Sequence, residues 1–417
     1  MRLLKCKTAV SCVVIFMTAA AHSLYLPALA PWFLGAAAEG VDGEAATAQA
    51  RQLLFAVAIA APQILSAIGA PLCGALSDRY GRRRSLIVAL SGAALAMSIC
   101  AISIILHHAV ILIAALALLG LVDGSAVIVQ AGLLEESPAD HHAADIGHLT
   151  ACSVLGVVSG SVIGGLCSDE RMFEFSTYYL PFLLTAGLFM AAMGVVATWY
   201  AEAARAQPAR PASRGRYLRE LIDTIRAPRI RRYVYILFLL EVIIATFYVR
   251  VPVLLQQSNA GPFDLGLYGA YIASVIALTC AVLVPVIPAS MPIRASLTGS
   301  FVLLTAAGAL LLRQPTVPRV WLSGLPFAVG AGIIYCLSLA CITERTDPSD
   351  QGKLAGITIS ISALAFLVAG VAMGSAVSSE ILAATVAPLV GVVGICVSAF
   401  ARALHRDRPE PSAAAVA

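Results

Sequence analysis

Gly74-Ala75-Leu76-Ser77-Asp78-Arg79-Tyr80-Gly81-Arg82-Arg83-Arg84-Ser85-Leu86 is a short charged island between two long apolar blocks, 52–75 and 84–107. At 1.5 Å per residue, about 20 residues cross the ~30 Å hydrocarbon core of a bilayer, and each block is long enough. Lipid offers no partner to a backbone N–H or C=O, so such blocks form helices, which satisfy those groups internally. A basic turn between two of them marks the side of the membrane on which positive charge is retained. Outward from this island the same pattern recurs, giving expected spans at 8–34, 52–75, 84–107, 109–133, 147–168, 177–201, 233–256, 266–289, 295–313, 319–343, 353–377 and 380–403. Composition agrees: 60% of residues are hydrophobic and 12% charged, against about 25% charged in soluble domains. The strict alternation of a membrane β-barrel is absent. The sequence predicts an all-α integral membrane protein with twelve transmembrane helices.

Charge placement orients the chain. An even number of spans puts both termini on one side. All 27 Lys and Arg then fall on that side except Arg51, Arg171, Arg313, Arg319 and the in-span Arg250. Both termini are therefore expected to be cytoplasmic. Arg2, Lys5 and Lys7 ahead of an apolar run resemble the start of a signal peptide, but the run continues through Tyr25-Leu26-Pro27-Ala28-Leu29. It reads as an uncleaved first helix.

The long polar connection 202–232 divides the chain into a six-span unit at 1–201 and another at 233–404, with a cytoplasmic tail at 405–417. It opens as a Pro/Arg/Ala linker and continues as Tyr217–Arg226. There Leu218, Leu221, Ile222 and Ile225 share one helical face, as in a helix lying on anionic membrane lipid. These basic residues read as a lipid contact and not as a nucleic-acid surface. Glu135 and Gly147 are twelve residues apart, as are Glu344 and Gly356 half the chain later, so the two units read as pseudo-repeats.

The island resembles the loop signature G-x-L-(A/S)-D-R-x-G-R-(K/R)-x-x-L of the major facilitator superfamily at every defined position. The resemblance implies a conformational clamp built from Gly74, Asp78, Arg79, Gly81, Arg82 and Arg83, with Glu135 as the acid Arg82 reaches. Gly74 is expected to permit close approach of a neighbouring helix, and Asp78 to face the positive end of one. Gly147, Gly156, Gly160, Ser161, Gly164 and Gly165 resemble the antiporter motif of the family's exporter branch, with Ser161 where proline is usual. Leu24-Tyr25-Leu26-Pro27-Ala28-Leu29 is similar to a run in bicyclomycin-resistance-type drug:proton antiporters. Those proteins carry an acid before the tyrosine, where this chain has His22 and Ser23. The family's span-four arginine and glutamine are replaced by Leu116 and Leu119. His141 and His142 read as residues of a solvated loop.

Asp123, Glu241 and Arg250 are the charges left inside spans, with titratable His22 beside them. A charge at the bilayer centre costs about 2.5–3.5 kcal/mol on insertion scales, so these groups should face a cavity or one another. The resemblance places His22, Asp123, and Glu241 with Arg250 on spans one, four and seven, which line the family's central path. Asp123, Glu241 and His22 are the proton-coupling candidates, Glu241 foremost. A fixed ion pair is the competing role for either acid. Arg250 is half a turn out of phase with Glu241 and suits a gate or headgroup contact. Tyr25, Gln63, Gln130, Arg250 and Tyr335 are substrate-path candidates.

The ten cysteines are scattered through apolar blocks without a CxxC pair or a His cluster, so neither a metal nor a cofactor is expected. No Walker loop, HExxH or GxSxG suggests an enzyme. The expectation is a monomeric secondary transporter of the inner membrane that exports an amphipathic small molecule, a drug or a siderophore-like metabolite, against protons. A proton- or sodium-coupled importer and a non-transporting sensor are the rivals.

Overall fold

The computed structural model describes residues 2–35, 48–137, 141–200, 230–287, 291–312, 316–345, 351–375 and 388–397, and no strand occurs among them. α1 (Arg2–Leu24) and α2 (Leu26–Leu34) form the first span, α3 (Ala48–Tyr80) the second and α4 (Arg82–Ile105) the third. The fourth comprises α5 (Ala109–Val122) and α6 (Ser125–Glu136), followed by α7 (His142–Ser168) and α8 (Leu180–Trp199). In the second half are α9 (Arg231–Gln257), α10 (Pro262–Leu278), α11 (Ile293–Leu310), α12 (Val317–Glu344), α13 (Gln351–Ser375) and α14 (Pro388–Val397). Among the described residues, ten helices are long and apolar enough to cross a membrane. The expected surface helix in 202–232, most of the loop after Glu344, much of the twelfth span and the tail lie outside the described residues.

Local chemistry sets the helix ends. α3 and α4 meet at the single residue Gly81, with φ 98° and ψ 150°, a conformation essentially reserved for glycine. α4 ends in a Schellman arrangement, with His107 at φ 56° and the His108 N–H donating to Ser103 O at 3.0 Å. Span one breaks at Tyr25, two residues ahead of Pro27, whose missing N–H cannot continue a helical ladder. Two further departures from continuous spans were not expected. Span four breaks at Asp123-Gly124, and span eight passes from α10 into a π-helical turn at Thr279–Leu283.

α1 packs on α7, α3 on α5 and α4 on α8; in the second half α9 packs on α12 and α13, and α11 on α12. Across the halves α7 meets α10 and α3 meets α13. The α1–α7 seam is glycine-made. A Cβ at Gly156, Gly160 or Gly164 would collide with the carbonyl oxygens of Phe16, Ala20 and Leu24 respectively, the close backbone approach that small residues permit. The other face of α7 crosses to the second half. A Cβ at Gly165 would lie 2.9 Å from Phe263 Cα, and the Ser161 side chain lies against Gly269. Ser161 is therefore an inter-half contact.

Gly74 corrects one expectation. Among the described residues a Cβ there, or at Gly147, would meet nothing within 4 Å, so neither glycine mediates a close approach among them. At the end opposite the Gly74–Leu86 loop the halves press together, Gly165 against Phe263 and Gly261 against Asp169.

The two halves also repeat a polar contact. Cys73 Sγ donates to Val122 O at 3.3 Å between spans two and four, and Cys280 Sγ to Gly332 O at 3.9 Å between spans eight and ten. Each contact lies beside an irregular segment, the break at Asp123 or the π turn.

Candidate functional site

Three of the in-span ionisable residues face the middle of the bundle, and two of them meet. His22 on α1 and Asp123 at the α5–α6 break touch through Nε2 and Oδ2 at 2.7 Å. The other imidazole nitrogen, Nδ1, is 2.7 Å from Thr18 O. A carbonyl only accepts, so Nδ1 carries hydrogen and donates. The Nε2–Oδ2 contact consequently needs one shared proton, on the imidazole or on the carboxyl. With none, two lone pairs would face each other and the contact would open. The remaining carboxylate oxygen, Oδ1, accepts from Ser125 N–H at 3.0 Å at the start of α6.

The break that places Asp123 is a consequence of sequence and packing. Gly124 follows the acid, and a Cβ there would collide with Cys73 on α3. Gly120 packs equally tightly on the Pro62 carbonyl. α3 thus presses on span four where its ladder is interrupted. Leu116 and Leu119, which stand in place of the family's polar pair, are fully buried.

Accessibility shows what the pair faces. The Asp123 side chain is 4% exposed, but 44% of the His22 side chain is reachable although protein surrounds the ring. The same combination holds for Tyr248 on α9 and Tyr335 on α12, so all three line an interior cavity. Tyr25 is buried, stacks in a tilted geometry on Phe182 at 5.6 Å and is close to both Asp123 and Tyr248. Phe189 stands edge-on to His22 at 5.6 Å, and Phe366 edge-on to Tyr248 at 6.3 Å.

Glu241 on α9 is buried, with Ser362 of α13 beside its carboxyl group. Tyr248 and Tyr335 are within its electrostatic reach. Among the described residues no cation pairs with it. Tyr248 follows Glu241 by seven residues, two helical turns, and so shares its face. Arg250 is half-buried on the same helix and is not joined to Glu241 by an ion pair. Gln63 and Gln130 are exposed, Gln130 two turns beyond Asp123 on α6.

The loop residues gather separately. Arg82 bridges Asp78 at 2.7 Å and Glu135, whose Oε2 accepts from Nε at 3.2 Å, and it also donates to the Ser77 hydroxyl. Asp78 therefore engages an arginine of its own loop, at the start of α4. Arg83 donates to the carbonyls of Val196 and Ala197 at the end of α8, a placement that also suits the helix dipole. Arg79 stacks over Tyr80 at 5.2 Å. His141 is exposed, whereas Asp145, one turn further on, is buried and accepts from Ser137.

Sequence reading missed Thr18, Ser125, Tyr248, Ser362 and Phe366. Two signals were available: the Asp-Gly step inside an apolar block, and the seven-residue spacing of Glu241 and Tyr248. Among the described residues no three His, Cys, Asp or Glu side chains gather to hold a metal.

A polytopic helical bundle with ionisable groups around a central cavity defines a membrane transport protein by class. The chain belongs to the Major Facilitator Superfamily, whose family model matches residues 11–370. It therefore has that family's twelve-helix fold and is not an enzyme. It is 31% identical over 134 residues to the tetracycline resistance protein, class C, of Escherichia coli, covering 32% of each chain. It is 30% identical over 176 residues to the multidrug resistance protein MdtG of Enterobacter lignolyticus, covering 41% of this chain and 40% of that one. These matches span well under half the length of either relative. The fold extends further: the human organic anion transporter MFSD10 superposes with TM-score 0.68 at 18% identity, covering 95% of this chain and 99% of that one. A D-xylose–proton symporter superposes with TM-score 0.72 at 15% identity, covering 98% and 97%.

Proposed function

We propose that this protein is a proton-coupled secondary transporter that exports an amphipathic small molecule, with the His22–Asp123 pair as its proton carrier. The observation that carries the reading is the shared-proton contact between spans one and four at the wall of the central cavity. Releasing the proton leaves Nε2 and Oδ2 facing each other with lone pairs only, so the contact opens and span one is freed from the α5–α6 break. Protonation state is thereby tied to helix position, which is what coupling requires. The aromatic lining of Tyr248, Tyr335 and Phe366 suits the apolar part of a substrate, and Glu241 supplies a second ionisable group facing it.

Export is favoured over import by the antiporter-like glycines of α7 and by relatives named for drug resistance. A drug-like compound is the first substrate class, and a siderophore-like metabolite the second. The protein works as a monomer in an inner membrane with both termini cytoplasmic. Six-span units at 1–201 and 233–404 rock about the cavity, joined by the linker 202–232 and followed by the tail 405–417. The lack of close neighbours at Gly74 and Gly147 among the described residues and the close packing at Gly165 fit a state open to the cytoplasm.

Efflux in cells overexpressing the protein, across a panel of amphipathic compounds with and without a protonophore, tests this. Protonophore-sensitive efflux of at least one compound is expected. Gradient-driven accumulation from the other side in oriented vesicles would instead establish the importer.

A further inference from the structure

We propose that Asp169, at the end of α7, serves as the N-cap of the span-eight helix α10 in trans, across the two halves, and that the cap exists only while the outer face is closed. The inference rests on the alternating-access reading above and adds to it a latch at the face opposite the charged loop.

The first turn of a helix has N–H groups without intrahelical partners, and a cap residue's side chain normally accepts from the second or third of them. In α10 the cap position is Gly261, which has no side chain to do so. Pro262 has no N–H. The Gly261 N–H itself donates to Asp264 Oδ2 at 2.9 Å. The next donor, Phe263 N–H, goes to Asp169 Oδ2 at 3.3 Å, a carboxylate from the other half of the protein. A Cβ at Gly261 would collide with that same oxygen, so the glycine leaves the place that the carboxylate fills. Gly261 is extended, with φ −80° and ψ 172°, so its backbone does not itself demand glycine. Space for Asp169 is the reason for it.

Asp169 is held ready for this role. Its Oδ1 accepts from Arg171 N–H at 3.1 Å, and the residue is 5% exposed. The Arg171 side chain reaches across the same seam to Asn259 O at 3.4 Å. The negative carboxylate also faces the positive end of α10. When the halves part at this face, Phe263 N–H and Asp169 are left to water. The tie is therefore specific to the closed state, and Asp169 acts as a positioning residue that sets how long that state lasts.

Hydrogen–deuterium exchange of the full-length protein in lipid nanodiscs reads this without a substrate. Asp169→Ala should speed exchange in residues 262–266 about five-fold, the equivalent of ~1 kcal/mol for a lost cap. It should also speed exchange in residues 28–34 of α2, which pack on α9 and α10. Asp169→Asn should fall between wild type and Asp169→Ala: its amide oxygen can replace Oδ2 at the Phe263 N–H, but its NH₂ cannot accept from the Arg171 N–H as Oδ1 does. Asp169→Ala with Gly261→Ser supplies a cap in cis, so protection should return at 262–266 but not at 28–34. Unchanged exchange in Asp169→Ala, or Asp169→Asn as fast as Asp169→Ala, overturns the proposal. If Asp169→Ala does not accumulate, Gly261→Ser alone decides. Its side chain must displace the carboxylate and speed exchange at 28–34, and wild-type exchange there overturns the proposal. Because exchange is independent of transport, an inactive protein with the expected pattern would sink the exporter reading alone. An active one without it would sink the cap alone.

Discussion

Replacing Asp123 by asparagine separates the proton from the geometry that holds it. The carboxylate makes two contacts, to His22 Nε2 at 2.7 Å and from Ser125 N–H at 3.0 Å. An asparagine retains both in kind: its carbonyl accepts from Ser125, and its NH₂ donates to an imidazole whose Nδ1–H is engaged by Thr18. The loss should be on the order of one hydrogen bond, ~1 kcal/mol, and the variant should reach the membrane at normal abundance. Asp123→Ala removes both contacts. Losing the capping contact costs about 1 kcal/mol and losing the His22 contact about 1 more, since His22 stays reachable and can turn neutral, so this variant should be less abundant than Asp123→Asn. The assay is paired: abundance by fluorescence-detected size exclusion, and transport in proteoliposomes with and without a pH gradient. Asp123→Asn should lose gradient-driven transport while keeping downhill exchange of substrate, because only loading and release of the proton are removed. Protonophore-sensitive transport at wild-type rates in Asp123→Asn would refute the carrier assignment. Depletion of Asp123→Asn as complete as that of Asp123→Ala would refute the geometry, since asparagine should satisfy the same partners.

Glu241→Gln keeps the volume and a polar end beside Ser362, so abundance should hold while gradient-driven transport falls; wild-type rates would remove Glu241 from the coupling path. Gly81→Ala forces a Cβ onto φ 98° and should cost ~1–3 kcal/mol, seen as a lower midpoint in thermal inactivation of detergent-solubilised protein, and an unchanged midpoint would contradict the turn geometry. Gly160→Ala drives a methyl group into the Ala20 carbonyl and the Ser23 hydroxyl and should lower abundance, with overpacking worth ~1–3 kcal/mol. Gly74→Ala, which meets nothing within 4 Å among the described residues, should not, and equal losses in the two would show that the α1–α7 seam is not tight. The proposed orientation predicts that a cysteine at the exposed Met172 labels from outside and one at Arg84 from inside; the reverse would invert it.

The membrane class, the first eleven spans and the loop that identifies the family were legible from the chain alone. Lipid makes hydrophobicity a direct report of secondary structure, because an apolar run of sufficient length has no stable alternative to a helix. The Gly81 turn belongs to the same legible layer, since it lies within one short motif, whereas the Arg82–Glu135 pairing, across 53 residues, was expected only from what the family resemblance implied. Asp123, Glu241 and His22 were recognisable as costly residues for the same reason. The sequence could not determine which of them met. A helix has a full circle of directions for a side chain, and spans one and four are separated by about a hundred residues, so the His22–Asp123 contact exists only once α1 has docked beside the break at Gly124. That break depends on Cys73 and Pro62 of another helix pressing on span four, which a hydropathy reading passes over as one continuous block. Asp169 is the clearest case. In the sequence it is an ordinary acid at the end of a span, and only packing of the two halves supplies the uncapped helix of which Gly261 is the empty first position.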